Sequence, residues 1–373
     1  MKEAEHAAGM VHCGSRGWVL VSAAAVIPCL APAGEAPPVF SYKALTPIRH
    51  GNLEVFPVVA ASSHDTQNFL TLDEGLRSGD VIVSESGNIP PLIRPRHKDV
   101  NLLPPIGGGA QVNQLVLVNN SKRPLILLAG EIVTGGKQDR VIGKDRLVPA
   151  ESDPIDLSVF CVEPGRWTGA KMSFSGGGMG AGMAQPGVRA KAMADKDQAK
   201  VWAEVRNSQV RVEARASPQA MGAIGSTTSY AKVMDNDEVK QKVDAVAAPM
   251  QRDYQSLIKQ LRDRNAVGVV VAVNGEIIWA DVFASTSLLE KYWPKLVRSY
   301  AAEAYVSRAN DKEAGVKAAQ QFLEDLEGRR ETVETEPGLY RHTEISGDGF
   351  RAFELTSLLP RTGFDLHVAK MAE

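Results

Sequence analysis

Two short groups of polar residues carry the side chains that could do chemistry in this chain. The first group, Gly130 to Arg140, follows an apolar run and reads GEIVTGGKQDR. Its glycines permit a tight turn and a close approach of the backbone to another molecule. Lys137, Gln138 and Arg140 would then present cations and an amide to a polar or anionic ligand, with Glu131 as a balancing carboxylate. The alternative is a glycine-rich hairpin whose charges form a surface salt bridge.

The second group surrounds the sequence CVEPGRW. Side chains two residues apart on a strand share a face, so Cys161 and Glu163 are predicted to point the same way. We expect Arg166 to pair with Glu163, and Trp167 to cover that pair or stack on a ligand. A nucleophilic thiolate needs a nearby cation or histidine to lower its pKa. No histidine is close in sequence, so we interpret Cys161 as a buried structural residue, with a reactive thiol as the alternative.

Other chemistries are excluded by spacing and charge. The phosphate-loop pattern fails because Gly130 is one residue out of register and Gln138 stands where Ser or Thr should bind Mg²⁺. The seven histidines have no metal-ligand spacing, so neither a metal nor a cofactor is predicted. His342, beside Tyr340, is interpreted as an exposed or cross-strand residue. A formal net charge of -2 provides no global field for nucleic acid or an anionic membrane.

Residues 1–36 have the pattern of a signal peptide. The apolar run Gly17 to Leu30 is followed by small residues suited to cleavage, and it is too short for a membrane span. We therefore expect a secreted or periplasmic protein whose mature chain has no membrane span. The alternative is a cytoplasmic protein with a disordered extension. Cleavage would remove Cys13 and Cys29 and leave Cys161 as the remaining cysteine.

The first half of the chain is predicted to be rich in β-strands. Runs at Leu53 to Ala61, Val141 to Val148 and Ile155 to Val162 are separated by turn signals, which favours a sandwich or a barrel. Thr71-Leu72-Asp73-Glu74 is a capping box, and Gly79 is placed to end the helix that follows it.

The second half has helical periodicity around one hairpin. Apolar residues from Val239 to Leu261 recur at helical spacing, with Pro249 predicted to kink or split the helix. The polar stretch 217–230 is interpreted as a break between helices. Asn274-Gly275 between two apolar runs predicts a hairpin with a type I′ turn.

These patterns predict an α+β fold, with a β-rich N-terminal half that is sandwich- or barrel-like, followed by a mostly helical half with a central β-hairpin. Ser173 to Gly187 is rich in glycine and methionine and is interpreted as a linker or flap. The predicted boundaries are a signal peptide at 1–36, a β-rich domain at 37–172, a linker at 173–195, a helical and hairpin portion at 196–310 packed on the first, and a C-terminal extension at 311–373.

The sequence resembles a known family. NNSKRPLILLAGEIVTGGKQDR, RLVPAES and CVEPGRW are similar to the ARPP-1 domain, the ARG and Rhodanese-Phosphatase-superfamily-associated protein family. The resemblance covers about Leu45 to Tyr305, and the residues from about Val306 onward are expected to be an addition. The family is a domain of unknown function named for its gene neighbours, so the resemblance implies shared polar positions but no catalytic role. Those positions correspond to Glu131, Gly136, Lys137, Gln138, Arg140, Cys161, Glu163, Arg166 and Trp167.

The function predicted from these residues is binding of a small polar or anionic ligand, or of a partner protein. The ligand would be contacted by Lys137, Gln138, Arg140 and Arg166, and Trp167 would form one wall of the binding site. One alternative is a hydrolase or transferase that uses Glu131 or Glu163 as acid and base, with Cys161 as a possible nucleophile. Another alternative is a structural protein whose polar cluster is an internal salt-bridge network. The residues leave open whether the chain is an enzyme.

Overall fold

The structure, a computed structural model, describes residues 42–86, 112–166, 174–176, 182–261 and 264–373. The predicted signal peptide and Trp167 lie outside the described residues, as does part of the segment from Ser173 to Gly187. Helix and strand each make up 34% of the structure, and the β-rich half precedes the helical region, so the predicted α+β class is confirmed.

The first elements contain the predicted capped helix. They are β1 (Lys43–Ala44), β2 (Ile48–His50), β3 (Leu53–Ala60), β4 (Leu70–Thr71), α1 (Leu72–Ser78) and β5 (Val81–Glu85). The Thr71 hydroxyl accepts from the Glu74 amide at 3.3 Å, and the Glu74 carboxylate accepts from the Thr71 amide at 2.9 Å. Both bonds satisfy donors that a helix start leaves without partners. Gly79 adopts φ 77° in the left-handed region and ends the helix, as predicted.

A barrel-like sheet contains the two polar groups. The strands in this part of the chain are β6 (Gln114–Asn119), β7 (Leu125–Leu127), β8 (Ile132–Gly135), β9 (Arg140–Ile142), β10 (Arg146–Val148), β11 (Ile155–Cys161) and β12 (Phe174–Gly176). Six strands follow the order β12-β8-β9-β11-β6-β5, and the edge strands β12 and β5 lie close together, so the sheet nearly closes. Strands β10, β7 and β4 form a separate three-stranded sheet.

The single strand predicted over Val141 to Val148 is wrong. Strand β9 pairs with β11, whereas β10 leaves that sheet and pairs with β7. The polar residues between them explain the break, because the Asp145 carboxylate turns inward and accepts from the Ala129 amide at 2.7 Å.

Helices dominate the next part of the chain. They are α2 (Pro186–Ala190), a π-helical turn at Lys191–Asp195, α3 (Gln198–Glu213), α4 (Pro218–Gly225), α5 (Tyr230–Met234) and α6 (Asp237–Gln260). The break predicted over 217–230 is wrong for its first part, where Ser217 caps α4 and Pro218 occupies its first turn. Helix α6 continues through Pro249, so that proline does not split it.

A nine-stranded antiparallel sheet closes the fold. Its later strands are β13 (Asn265–Val273), β14 (Glu276–Phe283), β15 (Arg329–Glu336), β16 (Tyr340–Gly347), β17 (Phe350–Ser357) and β18 (Asp365–Ala372). Two helices, α7 (Thr286–Val306) and α8 (Val316–Glu324), follow β14 in the chain. The order is β1-β3-β13-β14-β18-β17-β16-β15, with β2 also paired to β3. Asn274 and Gly275 have φ 58° and 77°, which confirms the predicted turn between β13 and β14.

One apolar core joins the sheet to the helices. Aromatic side chains of α6, α7 and β14 fill it, and the rings of Tyr254 and Trp293 lie 4.3 Å apart. The described residues, which begin at Tyr42, form one compact unit. Within the parts of the chain that the structure describes, every helix is too short or too polar to cross a lipid bilayer.

Candidate functional site

Arg140 lies at the centre of the predicted polar groups. It faces Cys161 across the β9–β11 pair, and its side chain is fully buried. Its Nε donates to the Val112 carbonyl and its Nη1 to the Gln138 carbonyl, both at 2.7 Å. Burial lowers the pKa of this guanidinium, and the Glu85 carboxylate 4.0 Å away partly opposes that shift. The side chain therefore holds backbone carbonyls in place instead of lying at a surface.

Glu163 and Arg166 form the ion pair that their spacing predicts. The Arg166 Nη2 lies 2.6 Å from a Glu163 carboxylate oxygen and 3.8 Å from Asp139. The same Glu163 oxygen accepts from the Asp139 amide at 3.1 Å. Asp139 in turn accepts from the Ser229 hydroxyl at 2.7 Å, and burial raises the pKa of Asp139. This group ties the loop after β11 to the start of α5.

Gln138 and Lys137 complete this motif cluster, which we define as Lys137 to Arg140 with Cys161, Glu163 and Arg166. The Gln138 side-chain amide donates to the Glu163 carbonyl at 3.1 Å. The Lys137 backbone amide donates to the Glu85 carboxylate at 2.6 Å, while its side chain is half-buried. Glu85 contacts the motif cluster through Lys137 and Arg140, and the sequence motifs did not indicate it.

Cys161 is fully buried inside the motif cluster. Burial raises the pKa of its thiol, and the Arg140 guanidinium only partly opposes this effect. The Gln198 side chain holds the Cys161 backbone from both sides, accepting from its amide at 2.8 Å and donating to its carbonyl at 2.9 Å. A raised pKa disfavours the thiolate that a nucleophile needs.

Glu131 belongs to a different cluster. Its carboxylate is buried, accepts from the Leu128 amide at 2.7 Å and pairs with Lys295 of α7. Burial raises the pKa of Glu131, and the Lys295 charge offsets that only in part. Burial alone would lower the pKa of Lys295, but Glu131 and Asp73, the latter 2.7 Å away, outweigh it and raise that pKa. The predicted set of polar residues thus divides between two places.

Lys295 opens onto a cleft between α1 and α7. This α1–α7 cleft has a volume of about 880 Å³. Lys291, Lys295 and Arg298 recur at helical spacing, so they share one face of α7 and line the cleft together. Opposite them lie Asp73 and Arg77 of α1. Described parts of the Gly- and Met-rich segment also border it, at Ser175, Gly176, Gly182 and Met183.

The lining of the α1–α7 cleft has more cationic than acidic side chains, and Lys291, Lys295 and Arg298 are each paired with a carboxylate. Among the described residues that line it, four side chains are cationic and two are carboxylates: Arg77, Lys291, Lys295 and Arg298 against Asp73 and Glu74. Arg298 pairs with Asp244 through Nη1, while its Nε and Nη2 are buried without an acceptor among the described residues. Burial lowers the pKa of this guanidinium. An anion would supply the acceptor that the edge formed by Nε and Nη2 lacks.

A third group of charges, the buried charge network, lies wholly inside the core. Arg189 holds Asp281 through two bonds of 2.9 Å, and His367 bridges Asp281 at 3.0 Å and Asp145 at 2.5 Å. Tyr300 also donates to Asp281. Opposite charges outweigh burial, so the pKa values of Asp281 and Asp145 are lowered.

Gly130 connects the first motif to this network. Its φ is 95°, and a Cβ there would lie 2.5 Å from the Arg189 Cγ. Only glycine therefore lets the backbone lie against the arginine.

A comparison with protein-family models identifies the chain. The model of ARPP-1, the ARG and Rhodanese-Phosphatase-superfamily-associated Protein domain, matches residues 41–369. The chain belongs to this family. The match extends well beyond Tyr305, so the expectation that the ARPP-1 resemblance ends there is wrong. No curated protein and no solved structure shows a significant match.

The ARPP-1 domain thus includes both the motif cluster and the C-terminal strand that carries His367. Sequence motifs could not indicate the buried charge network, because Asp145 and His367 are 222 residues apart in the chain. One weak signal existed: Asp281 interrupts the apolar run of β14. In the part of the ARPP-1 chain that the structure describes, no group of three or more His, Cys, Asp or Glu side chains could hold a metal ion.

Proposed function

We propose that this ARPP-1 protein binds a small molecule bearing a carboxylate or phosphate group in the α1–α7 cleft. The observation that carries the proposal is Arg298, which lines the cleft and whose buried Nε and Nη2 lack an acceptor among the described residues. A guanidinium edge of this kind suits a planar or tetrahedral anion with two acceptor oxygens. Lys291 and Lys295 add positive charge on the same helix face.

The α1–α7 cleft supports the proposal better than the motif cluster does. Arg140 and Gln138 are buried and donate to carbonyl groups of the chain, so a ligand would have to displace those bonds. Lys295 is only 9% exposed, but it lines the cleft and its carboxylate partner Asp73 is 38% exposed. An incoming anion can therefore compete with Asp73 for Lys295. The motif cluster then shapes the domain, and Glu131 sets the position and charge of Lys295.

The test is calorimetric titration with inorganic phosphate and with citrate at low ionic strength. We expect saturable binding that Arg298→Gln weakens at least about tenfold, the loss typical of a charged hydrogen bond. Arg252→Gln is the matched control, because Arg252 is an exposed cation of α6 that does not line the cleft. Equal losses in the two variants, or the absence of binding, would refute the proposal.

A second variant tests the role of Glu131. Glu131→Gln keeps the shape of the side chain and removes the negative charge next to Lys295. The binding proposal expects tighter phosphate binding in this variant, since Lys295 loses one of its two carboxylate partners.

A hydrolase or transferase is the second candidate function. It is favoured by the raised pKa of Glu131, a buried carboxyl beside a cleft-lining lysine. In that case Glu131→Gln would abolish turnover of a metabolite that it still binds. Glu163→Gln would leave turnover intact, because Glu163 is held by Arg166 in the motif cluster.

Export remains a proposal that rests on residues 1–36. N-terminal sequencing of the protein isolated from its native cells should find a start close to residue 37. A native chain that still begins at Met1 would favour the cytoplasmic alternative.

A further inference from the structure

We propose a second binding site, for a small uncharged aromatic molecule that carries a carboxamide or hydroxyl group. It is the His342 pocket, a cavity of about 290 Å³. Its apolar lining includes Phe160 of β11, Met193 of the π-helical turn and Phe353 of β17. None of these residues contributes to the α1–α7 cleft, so this inference does not depend on the function proposed above.

His342 is the polar anchor of the pocket. The residue is 1% exposed, and among the described residues neither ring nitrogen has a hydrogen-bond partner. Leaving buried polar atoms without a partner is costly, so such groups are rare without a reason. Burial lowers the pKa of His342, which favours the neutral ring. A neutral imidazole offers one donor and one acceptor, and a carboxamide or phenol offers the complementary pair.

The walls of the pocket favour an aromatic group. The ring of Phe353 stacks near His342, with centroids 6.2 Å apart and planes 28° from parallel. Phe160 and Met193 add a further ring and a polarisable sulfur, which packs well against aromatic edges. The volume lies at the lower end of the range for ligand pockets, which limits the occupant to about one ring with a small substituent.

The charges around the pocket are already paired. Lys144 pairs with Glu334, and Lys196 pairs with Glu344. Each lysine–carboxylate pair lines the pocket as a unit with no net charge. A charged ligand would have to break one of these pairs, whereas an uncharged ligand leaves both intact. The α1–α7 cleft differs, because its Arg298 guanidinium has two nitrogens without an acceptor among the described residues.

The backbone beside the pocket is unusual. Ala192 and Met193 belong to the π-helical turn at Lys191–Asp195, and Lys196 ends that turn with φ 52° in the left-handed region. Single π-helical turns are rare and often occur at functional sites. Left-handed backbone at a lysine is strained and is maintained only by its surroundings. Ala192, Met193 and Lys196 all line the pocket, so this unusual backbone forms part of its wall.

Benzamide is the probe for a direct test. The full chain, labelled with ¹⁵N-histidine, is titrated while the ring nitrogen resonances are followed by long-range proton–nitrogen NMR. We expect saturable shifts of the His342 nitrogens, with His50 as an internal reference. Benzoate has the same ring with a negative charge, and we expect at least tenfold weaker binding.

Two variants decide whether His342 is the anchor. His342→Phe keeps an aromatic ring and removes both nitrogens, so we expect benzamide affinity to fall at least tenfold. Val333→Trp should obstruct the mouth, because Val333 lines the pocket and is 39% exposed. Val316→Trp is its matched control at an exposed valine of α8. Benzamide binding that persists in both His342→Phe and Val333→Trp overturns the proposal. Unchanged His342 resonances in the native chain also overturn it.

Discussion

Arg189 and Asp281 form a bidentate ion pair, with both nitrogen–oxygen distances at 2.9 Å, and neither side chain is exposed to solvent. The guanidinium also lies 4.4 Å above the ring of Trp279. The pair fixes α2 against strand β14, and His367 extends it to β18. Breaking one partner leaves an uncompensated charge in the core.

We expect Asp281→Asn to lower the free energy of unfolding by about 3–5 kcal/mol, the usual cost of breaking a buried pair. Urea denaturation followed by tryptophan fluorescence measures this change. Arg330→Ala is the control, because the Arg330–Glu354 pair is half exposed on the arginine side. It should cost no more than about 1 kcal/mol. A loss of the same size in both variants would show that the network contributes no more than a surface pair.

The contribution of His367 to the free energy of unfolding should fall at alkaline pH. Burial alone would lower the pKa of His367, but Asp145 and Asp281 outweigh it and raise the pKa to about 9. The folded state therefore binds a proton that the unfolded state releases above about pH 6.5. The contribution of His367 is complete below about pH 6.5 and is lost as pH rises through about 9, with a size of about 3 kcal/mol.

The measurement compares the native chain with His367→Gln at pH 6.5 and pH 9.5. The difference in unfolding free energy between the two proteins should be larger at the lower pH. Lys370 titrates in the opposite sense, because burial lowers its pKa to about 8. Taking the difference between the two proteins removes that shared contribution. A difference that does not change with pH would contradict the assignment of the raised pKa to His367.

Gly130→Ala should destabilise the domain more than Gly165→Ala does. Both glycines have positive φ, 95° and 88°, so both variants carry the backbone cost of a left-handed alanine. Gly165 is exposed with no atom within 4 Å of a new Cβ, whereas at Gly130 that atom would meet the Arg189 side chain. We expect an additional loss of about 1–3 kcal/mol at Gly130 from this overpacking. Equal losses in thermal and urea unfolding would mean that Arg189 moves aside freely.

Cys161 should react with iodoacetamide only as fast as the native chain opens. Its thiol is fully buried and burial raises its pKa, so both access and thiolate fraction are low. Peptide mass spectrometry after labelling distinguishes Cys161 from Cys13 and Cys29. Adding a denaturing concentration of urea should increase the labelling of Cys161 sharply. Rapid native labelling at Cys161 would support the nucleophile alternative.

Local signals in the sequence predicted local structure well. The capping box at Thr71 and the turn at Asn274-Gly275 depend on residues within a few positions of one another, and both are confirmed. Strand β15 has no comparable signal in the sequence, because its residues, RRETVETE, are nearly all exposed and lack alternation of apolar and polar positions. The pairing of β3 with β13 joins distant parts of the chain, and no local pattern specifies it.

In the candidate site, too, contacts between residues close in sequence were predictable and contacts between distant residues were not. The Glu163–Arg166 ion pair was predictable because the two residues are three positions apart. The partner of Glu131 was not, since Lys295 is 164 residues away on α7. Helical spacing marks Lys291, Lys295 and Arg298 as one face, but amphipathic helices commonly carry such charges on a solvated side. Only the position of α1, which ion pairs join to α7, makes that face the wall of a cleft.

The position of β18 constrains how the chain reaches its native state. This strand is formed late in the sequence, yet it lies between β14 and β17 within the nine-stranded sheet. A nascent chain that has not been synthesised through Ala372 leaves the edges of both neighbours open, and open edges invite pairing with other molecules. Because the β3–β13 and β14–β18 pairings join parts of the chain that are distant in sequence, completion of the sheet should be slow. Products of interrupted translation should therefore aggregate or be degraded before they accumulate as folded fragments.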